Sequence, residues 1–341
     1  MNIIFFLADI QDIWLFNYFL KPGHKLICAK GSKVTSPHRF KEKLEKRGYN
    51  VIPFEGRDHE DFKKELEDCD FFITKECLPF YEKHDFADKV ISICWTAESG
   101  SKASRHHINI EGAYKFHYSE KIFEPLYQKL GYENIVYTNP KYYFLNNLTR
   151  EKACQVLGLS PEEKYITIFS GQFTTCDSGS FNMDDRAFEF VRFIEDFCDK
   201  NGYKILLKNK MKYGGYLKNA INYFKFFGGD HLFYHQGMAL QSISEFSLGF
   251  STSAATEAEV MGSRFISFWN KSPQNFNDLC EDIIENGAEY RLAQAENIMP
   301  VYPNEKLPDK RAELENFIKE SKPFNRKNKF EIDPFFESII N

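Results

Sequence analysis

Short runs of apolar residues alternate along the chain with stretches in which apolar residues recur every three or four positions. The runs predict strands and the stretches predict amphipathic helices. In the first part of the chain the predicted strands cover residues 3–7, 25–29, 51–54, 71–74 and 90–94. Helices are predicted between them, at 39–47 and 58–67. Strand–helix alternation of this kind is typical of βαβ units around a parallel sheet, so we expect a Rossmann-like first domain.

A second series of the same kind begins after Asn139 and Pro140. Its predicted strands cover residues 165–169, 204–207, 232–234, 248–250 and 265–268. Its predicted helices cover 149–157, 184–200, 238–246, 254–261 and 275–286, and the Pro-rich stretch 299–308 is predicted to be a loop. The expected fold class is therefore α/β, with a first domain over residues 1–140 and a second over 141–322.

Length and composition agree with two domains of ordinary size. The chain has 341 residues, of which 43% are hydrophobic and 27% charged, and its 35 Phe and 18 Tyr supply aromatic mass for two cores. The formal net charge of −5 gives no overall electrostatic attraction to nucleic acid or to an anionic membrane. We therefore expect no nucleic-acid partner and at most peripheral association with a membrane. The sequence indicates no oligomeric state.

The opening run of residues 1–20 is apolar enough to resemble a signal peptide, but Asp9 and Asp12 interrupt it and no basic segment precedes it. A strand followed by a helix is expected there instead. The eight cysteines are widely spaced and form no C-x-x-C pair, so we expect reduced core thiols in a cytoplasmic protein.

One segment, residues 248–268, carries the clearest chemical signal. It reads as a strand, a turn of Ser251, Thr252 and Ser253, a helix start rich in small residues, and a second strand. The free N–H groups and positive dipole end of such a helix bind anions, and a diphosphate fits there. Glu257, one turn inside the helix, is placed to accept a hydrogen bond from a ribose hydroxyl. The alternative is that Ser253 only caps the helix and that Glu257, with Glu259, complements the dipole.

This segment resembles the donor-nucleotide motif of GT-B glycosyltransferases, in particular bacterial capsule and teichoic-type transferases and the related sugar-nucleotide 2-epimerases. Residues 137–145 (YTNPKYYFL) are similar to the linker that enters the second domain of those enzymes. The resemblance covers roughly residues 135–270. It implies two Rossmann-like domains facing a central cleft, with the acceptor bound by the first, the nucleotide-sugar donor by the second, and segment 323–341 packed back on the first domain.

Further donor-binding candidates lie near other predicted strand ends, where open α/β sheets bind ligands. Ser170, Gly171 and Gln172 follow strand 165–169, and His235 and Gln236 follow strand 232–234, where they are placed to frame the base. A structural role for His235 is the alternative. Where teichoic-type transferases carry a His-Pro pair, this chain has LLKNKMK, so Lys208 and Lys210 are expected to supply positive charge to the diphosphate; a solvated strand end is the alternative.

For catalysis, Glu98 is the candidate general base, because it follows a buried strand on a polar, Gly-containing loop of the presumed acceptor domain. The competing candidates are Asp9, His106 and His107, and hydrogen bonding within its own loop is the structural alternative for Glu98. The motif Asp68-Cys-Asp70 precedes a strand instead of ending one, so we expect no metal site and no cofactor beyond the donor substrate.

These features together predict a metal-independent GT-B glycosyltransferase that moves a sugar from a nucleotide-activated donor to a carbohydrate acceptor, in the synthesis of a surface polysaccharide or other glycan. A sugar-nucleotide 2-epimerase and a non-catalytic nucleotide-sugar binding protein remain alternatives. A Rossmann oxidoreductase is disfavoured because no G-x-G-x-x-G follows the first strand.

Overall fold

The computed structural model describes most of the 341 residues. The residues it does not describe are 31–35, 56–62, 76–87, 95–114, 130, 132, 171–184, 210–215, 229–233, 251, 269–294, 303–304, 322–323, 325–328 and 341.

The first half of the chain forms a seven-stranded sheet in the order β3-β2-β1-β4-β5-β6-β7, and every neighbouring pair is parallel. Its strands are β1 (Ile3–Leu7), β2 (Lys25–Ala29), β3 (Asn50–Phe54), β4 (Phe71–Lys75), β5 (Val90–Ile93), β6 (Phe116–Tyr118) and β7 (Ile135–Val136). All five residues of β1 are buried, as expected for a central strand covered on both faces.

The second half forms a six-stranded parallel sheet in the order β10-β9-β8-β11-β12-β13. Its strands are β8 (Lys164–Phe169), β9 (Tyr203–Lys208), β10 (Lys225–Phe227), β11 (Ser244–Phe250), β12 (Arg264–Phe268) and β13 (Ile298–Val301). The predicted α/β class with two parallel sheets is confirmed.

Helices connect the strands within both sheets. The described α-helices are α1 (Ile10–Phe16), α2 (Lys41–Glu45), α3 (Lys63–Asp68), α4 (Glu124–Lys129), α5 (Arg150–Leu157), α6 (Asp185–Asn201), α7 (Gln236–Ile243), α8 (Ala254–Met261), α9 (Leu307–Lys319) and α10 (Pro334–Ile340). A 3₁₀ helix, Pro140–Asn147, follows the last strand of the first sheet and leads to α5. Gly262 ends α8 at a φ of 71°, a left-handed conformation that glycine adopts without strain.

Several local predictions were wrong. The helix predicted over 238–246 ends at Ile243, because residues 244–246 belong to β11 and pair with β8 and β12. The loop predicted over 299–308 contains most of β13 and the start of α9. Of the strand predicted over 232–234, only Tyr234 is described, and it does not belong to a strand. The edge strand next to β9 is β10. Predicted helix 275–286 lies outside the described residues.

Each sheet has a hydrophobic core of its own, and a further buried cluster packs Phe123 and Tyr127 of the first half against Phe169 of the second. The last helix packs on the first core. Phe336 and Ile339 of α10 are buried in the cluster that contains most of β1 and α1. The Tyr118 hydroxyl donates to Asp333 Oδ1 at 3.0 Å, just before α10 begins. Residues 333–340 therefore take part in the packing of the first sheet.

Five cysteines among the described residues are buried and form no disulfide: Cys28, Cys69, Cys94, Cys154 and Cys198. Burial raises the pKa of Cys28 and of Cys198 to about 12 each, so both are protonated core thiols at neutral pH. Among the helices that the structure describes, none combines the length and apolar character needed to cross a bilayer.

Candidate functional site

The carboxyl ends of strands from both sheets meet at one junction. Glu120 lies two residues beyond β6 of the first sheet, and Glu257 lies on α8, directly after β11 of the second. Lys141 stands on the 3₁₀ helix that connects the two halves. With Trp14 of α1 and His235, these residues form what we call the cross-domain cluster. All five are less than 9% exposed.

Helix α8 begins at Ala254, and Ser253 is the residue at its amino-terminal cap position. Ser253 has helical backbone angles and makes no side-chain cap, so the alternative in which Ser253 caps the helix is not supported. Thr252 Oγ1 instead accepts from the Ala254 N–H at 3.3 Å. The turn before α8 packs closely on strand β11. A Cβ added at Gly249 of that strand would stand 2.8 Å from Thr252 Cγ2. Thr252 and Ser253 are half-buried.

His235 is the amino-terminal cap of α7, and this fixes its tautomer. Its Nδ1 accepts the Met238 N–H at 3.1 Å, so the ring proton must be on Nε2. That nitrogen lies 3.2 Å from Glu257 Oε1 and donates to it. His235 therefore orients the Glu257 carboxylate, and the structural alternative considered for this histidine describes its contacts better than a place beside a nucleotide base.

The same imidazole is one of the contacts between the two halves of the chain. The Trp14 ring lies 3.9 Å from the His235 ring, centroid to centroid. On the linker side, the Phe144 ring is nearly parallel to it, at 6.4 Å and 10°. The position of the Glu257 carboxylate thus depends on a residue that is itself packed against the first domain.

Lys141 supplies the positive charge of the cluster. Its Nζ is 2.6 Å from Glu120 Oε1, and both side chains are almost completely buried. The Tyr142 hydroxyl donates to the same oxygen at 3.2 Å. Burial alone would lower the pKa of Lys141, but the carboxylates of Glu120 and Glu257 outweigh it, and the pKa is raised. Lys141 is therefore charged at neutral pH and offsets part of the negative charge of the two buried acids.

Three other predicted site residues are described and lie elsewhere along the sheet edges. Asp9 is half-buried, and its N–H donates to Asp12 Oδ2 at 2.9 Å. Ser170 is buried and donates to the Lys208 carbonyl at 3.1 Å. Lys208 is also buried, and its Nζ donates to the Asn209 carbonyl at 2.7 Å, so the alternative of a solvated strand end is wrong for this residue.

Gln236 is the first residue of α7, and most of the strand predicted to precede it lies outside the described residues. The remaining candidates fall outside the described residues, and their roles stay predictions. They are Glu98, His106, His107, Gly171, Gln172, Lys210 and Ser251.

The Asp68-Cys69-Asp70 motif has a structural explanation. Asp68 is the last residue of α3, and Asp70 Oδ2 accepts the Asn2 N–H at 2.6 Å. In the part of the chain that the structure describes, no group of three or more His, Cys, Asp or Glu side chains is arranged to hold a metal ion.

Sequence reasoning did not identify Trp14, Glu120 or Lys141. Lys141 and Glu120 each look like an ordinary charged residue, and only the fold brings them together across 21 positions of the chain. A weak signal exists for Lys141, which stands between Pro140 and the aromatic run Tyr142-Tyr143-Phe144, where a charged side chain is unusual unless it is paired.

No protein-family model matches this chain, and no curated protein matches it by sequence. Solved structures do show the same fold. The UDP-GlcNAc 2-epimerase of Methanocaldococcus jannaschii, in complex with UDP-GlcNAc and UDP, aligns over 100% of this chain and 98% of its own, with 13% identity and a TM-score of 0.56. A Listeria monocytogenes protein provisionally assigned as a UDP-N-acetylglucosamine 2-epimerase covers 95% of this chain and 92% of its own, with 10% identity and a TM-score of 0.54.

The Escherichia coli ADP-heptose LPS heptosyltransferase II aligns over 94% of this chain and 99% of its own, with 11% identity and a TM-score of 0.46. At identities this low, the similarity to the two epimerase structures shows the fold alone. That fold is GT-B: two Rossmann-like domains whose strand ends face a shared cleft.

Proposed function

We propose that this chain is a glycosyltransferase that takes a sugar from a nucleotide-activated donor and gives it to a carbohydrate acceptor. The observation that carries the proposal is the cross-domain cluster. It places an oriented, buried carboxylate, Glu257, one turn inside the helix that follows β11, at the junction where both sheets end. Doubly wound folds bind nucleotides at such strand ends.

In this proposal the donor nucleotide lies over the start of α8. The helix N–H groups and Thr252, Ser253 and Ser251 meet the diphosphate, and Glu257 accepts hydrogen bonds from the ribose. The second domain, residues 141–322, holds the donor, and the first, residues 1–140, holds the acceptor. Segment 323–341 completes the first domain.

The reaction follows from these positions. The general base, for which Glu98 is the first candidate and Asp9, His106 and His107 the others, removes the proton of an acceptor hydroxyl. The hydroxyl oxygen forms a bond to the anomeric carbon as the bond from that carbon to the phosphate oxygen breaks. The nucleoside diphosphate leaves with its charge stabilised at the start of α8. No step in this scheme uses a metal ion.

A sugar-nucleotide 2-epimerase is the second candidate, because the solved structures with the two highest TM-scores above are named as enzymes of that kind. Such an enzyme acts on one substrate and needs no acceptor. Incubating the protein with each nucleotide sugar alone, and analysing the products by NMR, distinguishes the two. Inversion at C2 of the sugar without an acceptor supports the epimerase, whereas turnover that requires an added carbohydrate acceptor supports the transferase.

Donor binding can be tested before any reaction is known. UDP, GDP, CDP, dTDP and CMP are compared for the rise in melting temperature that each produces, since a ligand of the native state stabilises it as RT ln(1 + [L]/Kd). Glu257→Ala is then compared with the matched variant Glu259→Ala on the same helix. We expect only Glu257→Ala to weaken binding of the best nucleotide. Equal losses in both variants would mean that the acids act only through the helix dipole, and the ribose role would be wrong.

A further inference from the structure

A cavity lies beside the cross-domain cluster, and it is not part of the proposed donor site. It has a volume of about 320 Å³, within the range of roughly 300–1,000 Å³ that small-molecule sites have in proteins. The residues that give this flank pocket its chemistry are Glu120, Tyr137, Tyr142, Glu259, Phe330 and Glu331. Glu257 is not among its lining residues, because Glu257 faces His235.

The aromatic walls of the flank pocket are fixed in place by their own contacts. The rings of Tyr142 and Phe330 are stacked, with centroids 5.2 Å apart and planes 21° from parallel. Tyr142 is held by its hydrogen bond to Glu120. Phe330 is held by two hydrogen bonds with the Asn146 side chain, at 2.8 and 2.9 Å. A ligand would therefore meet a wall that is already formed, and binding would cost little ordering of side chains.

The charge of the flank pocket is negative. Glu120, Glu259 and Glu331 contribute carboxylates, and Lys121 is the basic residue of the described lining. Lys141 is directed at Glu120 Oε1, while Glu120 Oε2 is buried and has no hydrogen-bond partner among the described residues. A buried carboxylate oxygen without a partner is costly, so a donor that reaches it would be bound with a gain in free energy.

Glu259 adds a second acceptor to the lining of the pocket. One of its oxygens, Oε2, accepts the Asn297 N–H at 2.8 Å, which fixes the side chain in place. Burial raises the pKa of Glu259, and nearby positive charge would lower it again. Aromatic faces and carboxylates together attract cations, the first through the ring quadrupole and the second through charge-assisted hydrogen bonds.

We propose that the flank pocket binds a small organic ammonium ion, whose nitrogen lies between Glu120 and Glu259 and whose carbon skeleton packs on Tyr142 and Phe330. A neutral polyol would satisfy the same acceptors but would leave the excess negative charge unbalanced. The proposal does not depend on donor binding, since Glu257 and His235 are not among the lining residues of the flank pocket.

The test uses two probes of the same shape, the cyclohexylmethylammonium ion and cyclohexylmethanol, and the full-length protein without any nucleotide. Affinities are measured by ligand-observed NMR. We expect the ammonium ion to bind at least about tenfold more tightly than the alcohol, which is the size of one charge-assisted hydrogen bond. Equal affinities for the two probes would overturn the proposal. So would the absence of binding by the ammonium ion at a concentration on the order of 10 mM.

Variants locate the site. Glu259→Gln should weaken binding of the ammonium ion by about tenfold, for the same reason. Glu162→Gln, at an exposed glutamate before β8, is the matched control and should change nothing. Val260→Phe leaves every carboxylate in place but fills part of the pocket, and it should abolish binding. Melting temperatures of the unliganded variants show that each is folded. Binding that survives in both Glu259→Gln and Val260→Phe would place the probe elsewhere and refute the assignment.

Discussion

Replacing Lys141 by Met tests whether the cross-domain cluster is held by charge. Methionine keeps most of the aliphatic volume, so the change removes the ammonium group with little loss of packing. Glu120 and Lys141 are 0% and 1% exposed, and the carboxylate of Glu257 also interacts with this lysine. Removing one partner of a buried ion pair costs about 3–5 kcal/mol, because the other charge is left uncompensated. We expect a loss of that size in the free energy of unfolding.

The matched control is Lys204→Met. Lys204 Nζ lies 2.6 Å from Glu163 Oε1, the same distance as in the buried pair, but the two side chains are 34% and 39% exposed. Exposed pairs contribute about 0–1 kcal/mol, so this variant should lose little. Chemical denaturation of both variants gives the comparison. The double variant Lys141→Met with Glu120→Gln should recover part of the loss, because it removes an uncompensated charge.

The reasoning would be refuted if Lys141→Met cost no more than Lys204→Met. The Lys141 ammonium would then contribute nothing beyond an exposed pair, and the junction of the two domains would be held by apolar packing alone. Absence of any recovery in the double variant would instead show that Glu120 is not the carboxylate left uncompensated.

Three further predictions concern other parts of the molecule. Arg150 donates to three carbonyls, those of Pro161, Ile243 and Glu163, so Arg150→Lys should lower the free energy of unfolding by about 1.5–3 kcal/mol in urea denaturation. Phe336→Ala removes a fully buried ring of α10 and should cost about 3–5 kcal/mol in the same assay. Burial raises the pKa of Tyr142 well above its ordinary value of 10.0, so the folded state keeps a proton that the unfolded state loses. Stability should therefore fall as pH rises past 10.0, and less steeply in Tyr142→Phe, as followed by circular dichroism from pH 8 to 12, a range of about four units around that value.

The parts of the fold that could be predicted from sequence are those in which one local pattern is sufficient. Strands β1 and β2 and helix α8 have the predicted bounds, because each is a run of apolar or small residues with clear breakers on both sides. The errors occur where neighbouring strands decide. Residues 244–246 continue the helical pattern of α7, but pairing with β8 and β12 extends β11 through them. Strand β13, which contains Pro300, is an edge strand, where a missing N–H is tolerated.

The candidate site also has one part that a local sequence pattern predicts and one part that depends on the whole fold. The α8 start was predictable because strand, turn and helix follow one another directly in sequence, and Glu257 lies within that segment. Its partners were not predictable, because Trp14, Glu120 and His235 come from three distant segments that meet only when both sheets are formed. The buried state of Lys141 depends on the same meeting, since a lysine is buried only if a carboxylate is supplied from elsewhere in the fold.

The charge of the cross-domain cluster bears on how a nucleotide would be oriented. Glu120 and Glu257 contribute two carboxylates and Lys141 one ammonium, while the His235 Nδ1 accepts a backbone N–H. The sum is negative, so the cluster would repel a diphosphate and attract hydroxyl donors. The start of α8, about one helical turn or 5 Å away, has the opposite preference. In the proposed donor complex the nucleotide would therefore bind in one direction, with its phosphates over the helix start and its ribose hydroxyls toward Glu257. The sugar on the outer phosphate would be directed away from the negative cluster.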